Sequence, residues 1–330
     1  MPKPLTGSYK RGCFSLKVAF YFTIASVNQG DPLQPPVEID NLCIVGLGLM
    51  GASLAMAVRE HASQPGSPLR VRHITGVARR QETVRQGLAR GIVDEAGTDF
   101  AVGVSRADVV VLAAPVRTIL SQLRTQADAF MAGATVTDLG STKLAIVQAM
   151  DHLPEGVHAV GSHPMCGKEV TGLDAADAHL YEGKRWILTR TARTSDSSLD
   201  LIQRLALTAG AVTLELDATR HDRLVAFASH LPYAVAISLI TATEQASLDD
   251  STLWQVTASG FRDTSRVAAS DVTMMMDILL TNREAVCGAI RDFQFALDQL
   301  TALIERQDEA GLRAYLTAAA QARQTNGAHW

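Results

Sequence analysis

The stretch "NLCIVGLGLMGASLAMAVREHA" occupies residues 41–62 and decides the fold. Leu42 to Val45 is a short unbroken apolar run, as in a strand buried on both faces. The run breaks at Gly46, and Gly48 and Gly51 complete a GxGxxG spacing. Good helix formers follow from Leu49 at helical spacing. Such a turn lets a pyrophosphate approach the backbone and rest on the helix N-terminus. Alone, the spacing is weak, because it also serves as a packing turn without ligand. Its position at the first strand of an alternating chain makes it a candidate dinucleotide site, with Gly46, Gly48, Leu49, Met50 and Gly51 at its centre.

The alternation runs on. "VRHITGVARR", "ADVVVLAAP", "ATVTDLG", "VHAVGSHP", "KRWILTRT" and "AVTLELD" read as strands, and helical segments lie between most of them. Pro115, which ends "ADVVVLAAP", joins the candidate cofactor residues. This pattern predicts an α/β fold, a mostly parallel Rossmann-type sheet covered on both faces, over residues 41–217. From 218 to 330 the segments are helical, rich in Ala, Leu and Met, and so apolar that an all-helical dimerisation domain is expected.

Residues 1–40 stand apart. Lys3, Lys10, Arg11 and Lys17 precede the apolar run "VAFYFTIASV", a weak match to a signal peptide and too short to span a membrane. "NQGDPLQPPVEID" after it reads as a linker, so a disordered extension is the expectation. The net charge is −4 with no basic stripe, which argues against nucleic acid as a partner. Cys13, Cys43, Cys166 and Cys287 show no CxxC or Cys/His spacing, so no metal site and no disulfide framework are expected, and a reducing cytoplasm suits the chain.

Two sets of residues carry chemistry. The second strand ends in Ala78, Arg79 and Arg80 where a carboxylate would hold a ribose 2′-hydroxyl. Two guanidiniums suit a 2′-phosphate, so NADP is favoured and NAD stays possible; solvated surface arginines are the other reading. In "AVGSHPMCGKEVTG", His163 follows a strand's C-terminal end, where ligands bind in open α/β sheets. An imidazole there can take the hydroxyl proton that hydride transfer from a C–OH releases. "TDLGSTK" presents Ser141 and Lys143 in the same way. Ser141 reads either as a bridge to a substrate hydroxyl or as the N-cap of the next helix, and Lys143 either as a site residue or as a solvated helix-start lysine. In the helical half, His221, Asp222, Ser229 and His230 interrupt an apolar helix, and Arg262, Asp263 and Arg266 follow in "SGFRDTSR". Those arginines read as an internal Arg–Asp pair or as a fork for a substrate carboxylate.

The motifs "VGLGLMGASLA", "TDLGSTK", "GSHPMCGKEVTG", "HDRLVAFASHLP" and "SGFRDTSRVA" together resemble, in order, the prephenate/arogenate dehydrogenases of tyrosine biosynthesis. The resemblance runs from about residue 41 to the end. It implies oxidative decarboxylation of a cyclohexadienol, with hydride passing to a nicotinamide. By the same resemblance His163 accepts a hydrogen bond from the ring hydroxyl, Ser141 orients the hydroxyl and His163, Arg266 binds a substrate carboxylate, and Tyr233 lies near the substrate side chain; Arg262, Ser229 and His230 join them as candidate substrate-binding residues. A homodimer and a small-molecule substrate are implied, and no membrane partner. Two departures stand out: Tyr233 replaces a histidine carried by many prephenate-using members, and Cys166, a small apolar filler, replaces a more usual alanine. Any inhibition by tyrosine would act at the active site, since no regulatory domain fits within the chain. β-Hydroxyacid dehydrogenases also open with "GLGLMG", but the glycine-rich helix start with lysine and asparagine that they need is missing. A non-catalytic dinucleotide sensor would have no use for His163 together with Arg266.

Overall fold

The computed structural model describes residues 35–168 and 170–327. The signal-like run and most of the expected extension lie outside the described residues. β1 (Val37–Val45), α1 (Leu49–His61), β2 (Leu69–Val77), α2 (Gln81–Ala89), β3 (Glu95–Gly97), α3 (Phe100–Val104) and β4 (Val109–Leu112) come first. α4 (Val116–Thr125), β5 (Thr135–Asp138), α5 (Leu144–Met150), β6 (His158–Pro164), β7 (Arg185–Arg190), α6 (Asp196–Thr208) and β8 (Val212–Glu215) complete the sheet region. The sheet order is β3-β2-β1-β4-β5-β6-β7-β8, and every pairing is parallel except β6 with β7.

β1 starts earlier than its apolar run. Val37 to Asp40, expected as linker, pair with β2 from Leu69 onward. The physical reason is a period of two: Ile39 is buried, while Glu38 and Asp40 point outward and pair with Arg72 at 2.5 and 2.9 Å. Farther along, β1 feeds both sides of the sheet. Leu42 and Ile44 pack with α1 and α6; Cys43 and Val45 pack with α3, α4 and α5. That alternation explains an unbroken apolar strand between two helical layers.

Helices follow the sheet: α7 (Ala218–Val225), α8 (Leu231–Ser247), α9 (Ser259–Ser265), α10 (Val272–Thr281), α11 (Arg283–Glu305) and α12 (Glu309–Asn326). α7 and α8 join through a π-helical turn, Ala226–His230. Pro232 lies just beyond; it lacks an N–H and its ring crowds the preceding turn, which accounts for the widened geometry. The run 218–247 is long and apolar enough by composition to cross a bilayer, and a third (33%) of its most apolar window is buried against the rest of the chain. The sequence pattern suggests one helix through 273–305, but the chain breaks at Asn282. That side chain is buried and turned inward on the site.

Candidate active site

The glycine turn is built for a close ligand. Gly46 has φ +111°, and a Cβ there would meet the Ala113 carbonyl oxygen at 2.3 Å. A Cβ at Gly51 would meet the Gly46 oxygen at 2.0 Å, so strand and helix touch through hydrogen atoms alone. Gly48 differs: a Cβ there meets nothing within 4 Å. It is the N-cap of α1, with no side chain capping the helix and no acid in the first turn. Open space against bare backbone N–H groups fits a pyrophosphate. Arg79 and Arg80 leave the C-terminal end of β2, both exposed, and Pro115 is the exposed N-cap of α4.

His163 lies on β6, nine-tenths buried. Its Nδ1 stands 2.8 Å from His221 Nε2, and His221 Nδ1 stands 2.7 Å from Asp222 Oδ1. Asp222 also accepts hydrogen bonds from the backbone N–H of Lys143 at 2.7 Å and of Leu144 at 3.0 Å. Burial, with His221, Lys143 and His230 nearby, drives the His163 pKa well below 6.5. The ring is therefore neutral at neutral pH, the state a proton acceptor needs. Burial lowers His221 as well, against the pull of Asp222, and takes His230 down to about 4. Asp222 is held below the ordinary carboxylate range: burial alone would raise it, and the bonds from His221 and the two amides overcome that.

Beneath this cluster lies a buried ion pair. Lys143 Nζ donates to Asp138 and, at 2.7 Å, to the Ser162 carbonyl, with both side chains inaccessible to solvent. Asp138 accepts also from the backbone N–H of Gly140 at 2.8 Å and of Ser162 at 2.9 Å. The pair ties β5 to β6 directly behind His163. Burial lowers the Lys143 pKa and Asp138 opposes the shift.

This combination, a neutral buried imidazole on β6 and a glycine turn that leaves the α1 N-terminus uncapped, has known counterparts. A family model described as prephenate dehydrogenase, nucleotide-binding domain, matches residues 66–215, and one described as prephenate dehydrogenase, dimerization domain, matches 217–318. The chain belongs to the prephenate dehydrogenase family. Prephenate dehydrogenase of Bacillus subtilis is 30% identical over 282 residues, covering 85% of this chain and 74% of that protein. Cyclohexadienyl dehydrogenase of Zymomonas mobilis is 30% identical over 271 residues, covering 81% and 89%. Among solved structures, prephenate dehydrogenase from A. aeolicus, in complex with hydroxyphenyl propionate and NAD+, shares 33% identity at a TM-score of 0.79, covering 87% of this chain and 98% of that one. Synechocystis arogenate dehydrogenase shares 31% at 0.73, covering 86% and 99%. The protein is thus a dehydrogenase of the class that carries out oxidative decarboxylation in tyrosine biosynthesis, and its cofactor is a nicotinamide dinucleotide.

Ser141 sits half-buried in the loop between β5 and α5. It is not the helix cap: α5 starts at Leu144, and Asp222 from the helical half caps it. Lys143 is not solvated, because β5 and β6 enclose it and Asp138 holds it. His230 is buried and meets Asn282 Nδ2 at 3.2 Å, while Ser229 beside it is exposed. Tyr233 is buried in an apolar cluster with Met275 and Ile278. Arg262 pairs with Asp263 at 3.1 Å, both exposed, and Arg266 one turn on is exposed too. This segment packs on α8. Burial pushes the Cys166 thiol up to about 12, which suits a filler and not a nucleophile.

Asp138 and Asn282 escaped the reading of the sequence, and His221, Asp222 and Lys143 were seen without their roles. An acid ending a buried strand, "VTDLG", with a lysine five positions on, was the available signal for the ion pair. For metals the expectation rested on spacing in sequence. In space, Glu60, His61 and His179 bring one ligand atom each within 4.8 Å at the surface, at the end of α1 farthest from the glycine turn.

Proposed function

We propose that this chain is a homodimeric, NADP-preferring dehydrogenase that oxidatively decarboxylates prephenate and arogenate, arogenate at least as well. The observation that carries the reading is His163: a buried imidazole, neutral at neutral pH, near the C-terminal end of β6, as the glycine turn is at the C-terminal end of the parallel strand β1. A nicotinamide dinucleotide held at the turn of Gly46, Gly48 and Gly51 would supply the acceptor for the hydride of ring C4. His163 Nε2 takes the C4 hydroxyl proton as the carbonyl forms. Loss of the ring carboxylate as carbon dioxide sends its bonding electrons through the diene to that oxygen. The phenolate produced takes the proton back from His163, so the base is regenerated within one turnover. Aromatisation makes the sequence irreversible.

Ser141 is assigned to orient the hydroxyl, and Arg266, with Arg262, to hold a substrate carboxylate, a task for a planar fork of donors. Ser229, His230 and Tyr233 are assigned to the side-chain end of the substrate. Tyr233 packs its ring against Met275 and Ile278, and its hydroxyl oxygen is the part assigned to accept from an ammonium, the basis for favouring arogenate. Arg79 and Arg80, exposed beyond β2 beside the glycine turn, support the 2′-phosphate of NADP. The dimer is supported by the dimerization-domain match and by the apolar groove between α8 and α11, lined by Leu231, Val235, Ile290 and Phe293. A boundary near 217/218 is supported by the end of β8 at Glu215 and the start of α7 at Ala218. Cys43, Cys166 and Cys287 carry no disulfide, which supports a cytoplasmic site of action.

A two-by-two assay tests this reading: prephenate or arogenate, each with NAD or NADP, following nicotinamide reduction. Arogenate with NADP should give a kcat/KM at least equal to any other pair. Preference for NAD would remove the assignment of Arg79 and Arg80, and preference for prephenate that of Tyr233.

A further inference from the structure

The hydrogen bonds behind His163 fix where its protons sit. Asp222, ionised, can only accept, so His221 Nδ1 carries a proton toward it across 2.7 Å. Neutral His221 then has a bare Nε2. That atom lies 2.8 Å from His163 Nδ1, so His163 must donate there. What remains on His163 is an unprotonated Nε2, the one atom able to receive a proton from a substrate. Asp222 is anchored in turn by the amides of Lys143 and Leu144, and its own backbone carbonyl accepts from Asn282 Nδ2 at 2.7 Å. Elements on three sides hold the row in place.

We propose that His221 and Asp222 are positioning residues that form a two-histidine proton relay with His163. When the hydroxyl proton arrives at His163 Nε2, the Nδ1 proton moves to His221 Nε2, and the positive charge comes to rest on His221, against the Asp222 carboxylate. Each N–H bond broken on one ring is matched by one formed on the next. When the phenolate forms, both protons step back and no net proton is consumed. The charged groups around His221 fit this direction of travel. Lys143 disfavours a cation on either ring, but Asp138 pairs with it and itself favours a cation on His221; His230 adds a further neutral ring; Asp222 touches His221 directly with negative charge. A base that kept the charge on His163 would leave it farther from that carboxylate, on a ring nine-tenths buried.

The proposal rests on the dehydrogenase reading above, and its test separates the two. The variants are His221→Gln, whose amide oxygen can still accept from His163 Nδ1 but cannot take a proton, and Asp222→Asn. kcat, KM, dinucleotide Kd, Tm and the pH profile of kcat are measured for each. A wild type inactive with all four substrate and cofactor pairs would sink the dehydrogenase reading itself. With an active wild type, the relay predicts a kcat loss on the order of 10–10² for His221→Gln, with KM and Kd within about threefold. For Asp222→Asn the loss is on the order of 10–10² too: the amide oxygen keeps the bonds from His221 Nδ1 and the Lys143 amide, and the negative charge that draws the proton onto His221 is gone. The double variant should lose no more than the worse single one.

The acid limb of the profile gives the sign. If His221 passes charge toward Asp222, His221→Gln lowers the proton affinity of the pair, and the limb moves to lower pH by roughly one unit. If His221 is only a neighbour that repels charge, its removal moves the limb up or leaves it in place, and the relay is overturned. Asp222 also caps α5, so an Asp222→Asn protein that does not fold leaves the decision to His221→Gln.

Discussion

Three helices, α1, α4 and α5, start at the C-terminal ends of neighbouring parallel strands, β1, β4 and β5, and the chain treats their N-termini differently. α5 is closed by Asp222 through the amides of Lys143 and Leu144. α4 is closed by Asp277, which accepts from the Arg117 amide at 3.0 Å. Both carboxylates come from the helical half, so two helix ends of the sheet region double as docking points for it. α1 is left open, with Gly48 as its cap and no acid in its first turn. A helix N-terminus favours an anion in every case. In two the protein supplies it, and in the third the place is kept for a ligand. The cations divide in the same way. Lys143 is enclosed with Asp138, whereas Arg79, Arg80 and Arg266 reach the surface.

The contrast can be broken from either side, and the largest effect lies with the buried cation. Lys143→Met leaves Asp138 charged and enclosed without its partner; breaking such a pair costs about 3–5 kcal/mol, so urea denaturation should show a stability loss of that size. Gly48→Asp would close α1 as the other two helices are closed. Its side chain has room, and a capping aspartate stabilises a helix by about 1 kcal/mol, so Tm should hold or rise. Dinucleotide affinity should fall about 100-fold, because a carboxylate would occupy the place of the pyrophosphate. Unchanged affinity in calorimetry would show that the open end is not the binding site. Asp277→Ala should have the smallest effect. Losing the α4 cap costs about 0.5–2 kcal/mol, visible as a lower Tm, with the affinity of α1 for dinucleotide untouched.

How far the sequence disclosed this arrangement depended on distance along the chain. The glycine turn was legible because strand, turn and helix adjoin within 41–62 and each leaves a local mark. His163 and Ser141 stood out at strand ends for the same reason. Asp222 as the cap of α5 was not legible: it lies 79 residues from Lys143, and the helix start showed a serine and a threonine that ordinarily do such work. The break at Asn282 hid behind a continuous apolar helical pattern, because its cause is a tertiary contact with Asp222 and His230. β3, three residues long, offered too little periodicity to mark it as a strand.

If His163 takes the substrate's hydroxyl proton, His163→Asn removes the acceptor itself. kcat is measured with prephenate and arogenate, alongside dinucleotide Kd and Tm. Loss of a general base is expected to lower kcat on the order of 10²–10⁴, with KM and Kd within about threefold of wild type. In the wild type, activity should persist as pH falls through 6.5, because the ring stays neutral until its lowered pKa is reached. A His163→Asn enzyme with kcat within a few-fold of wild type would contradict the account and place the proton acceptor elsewhere.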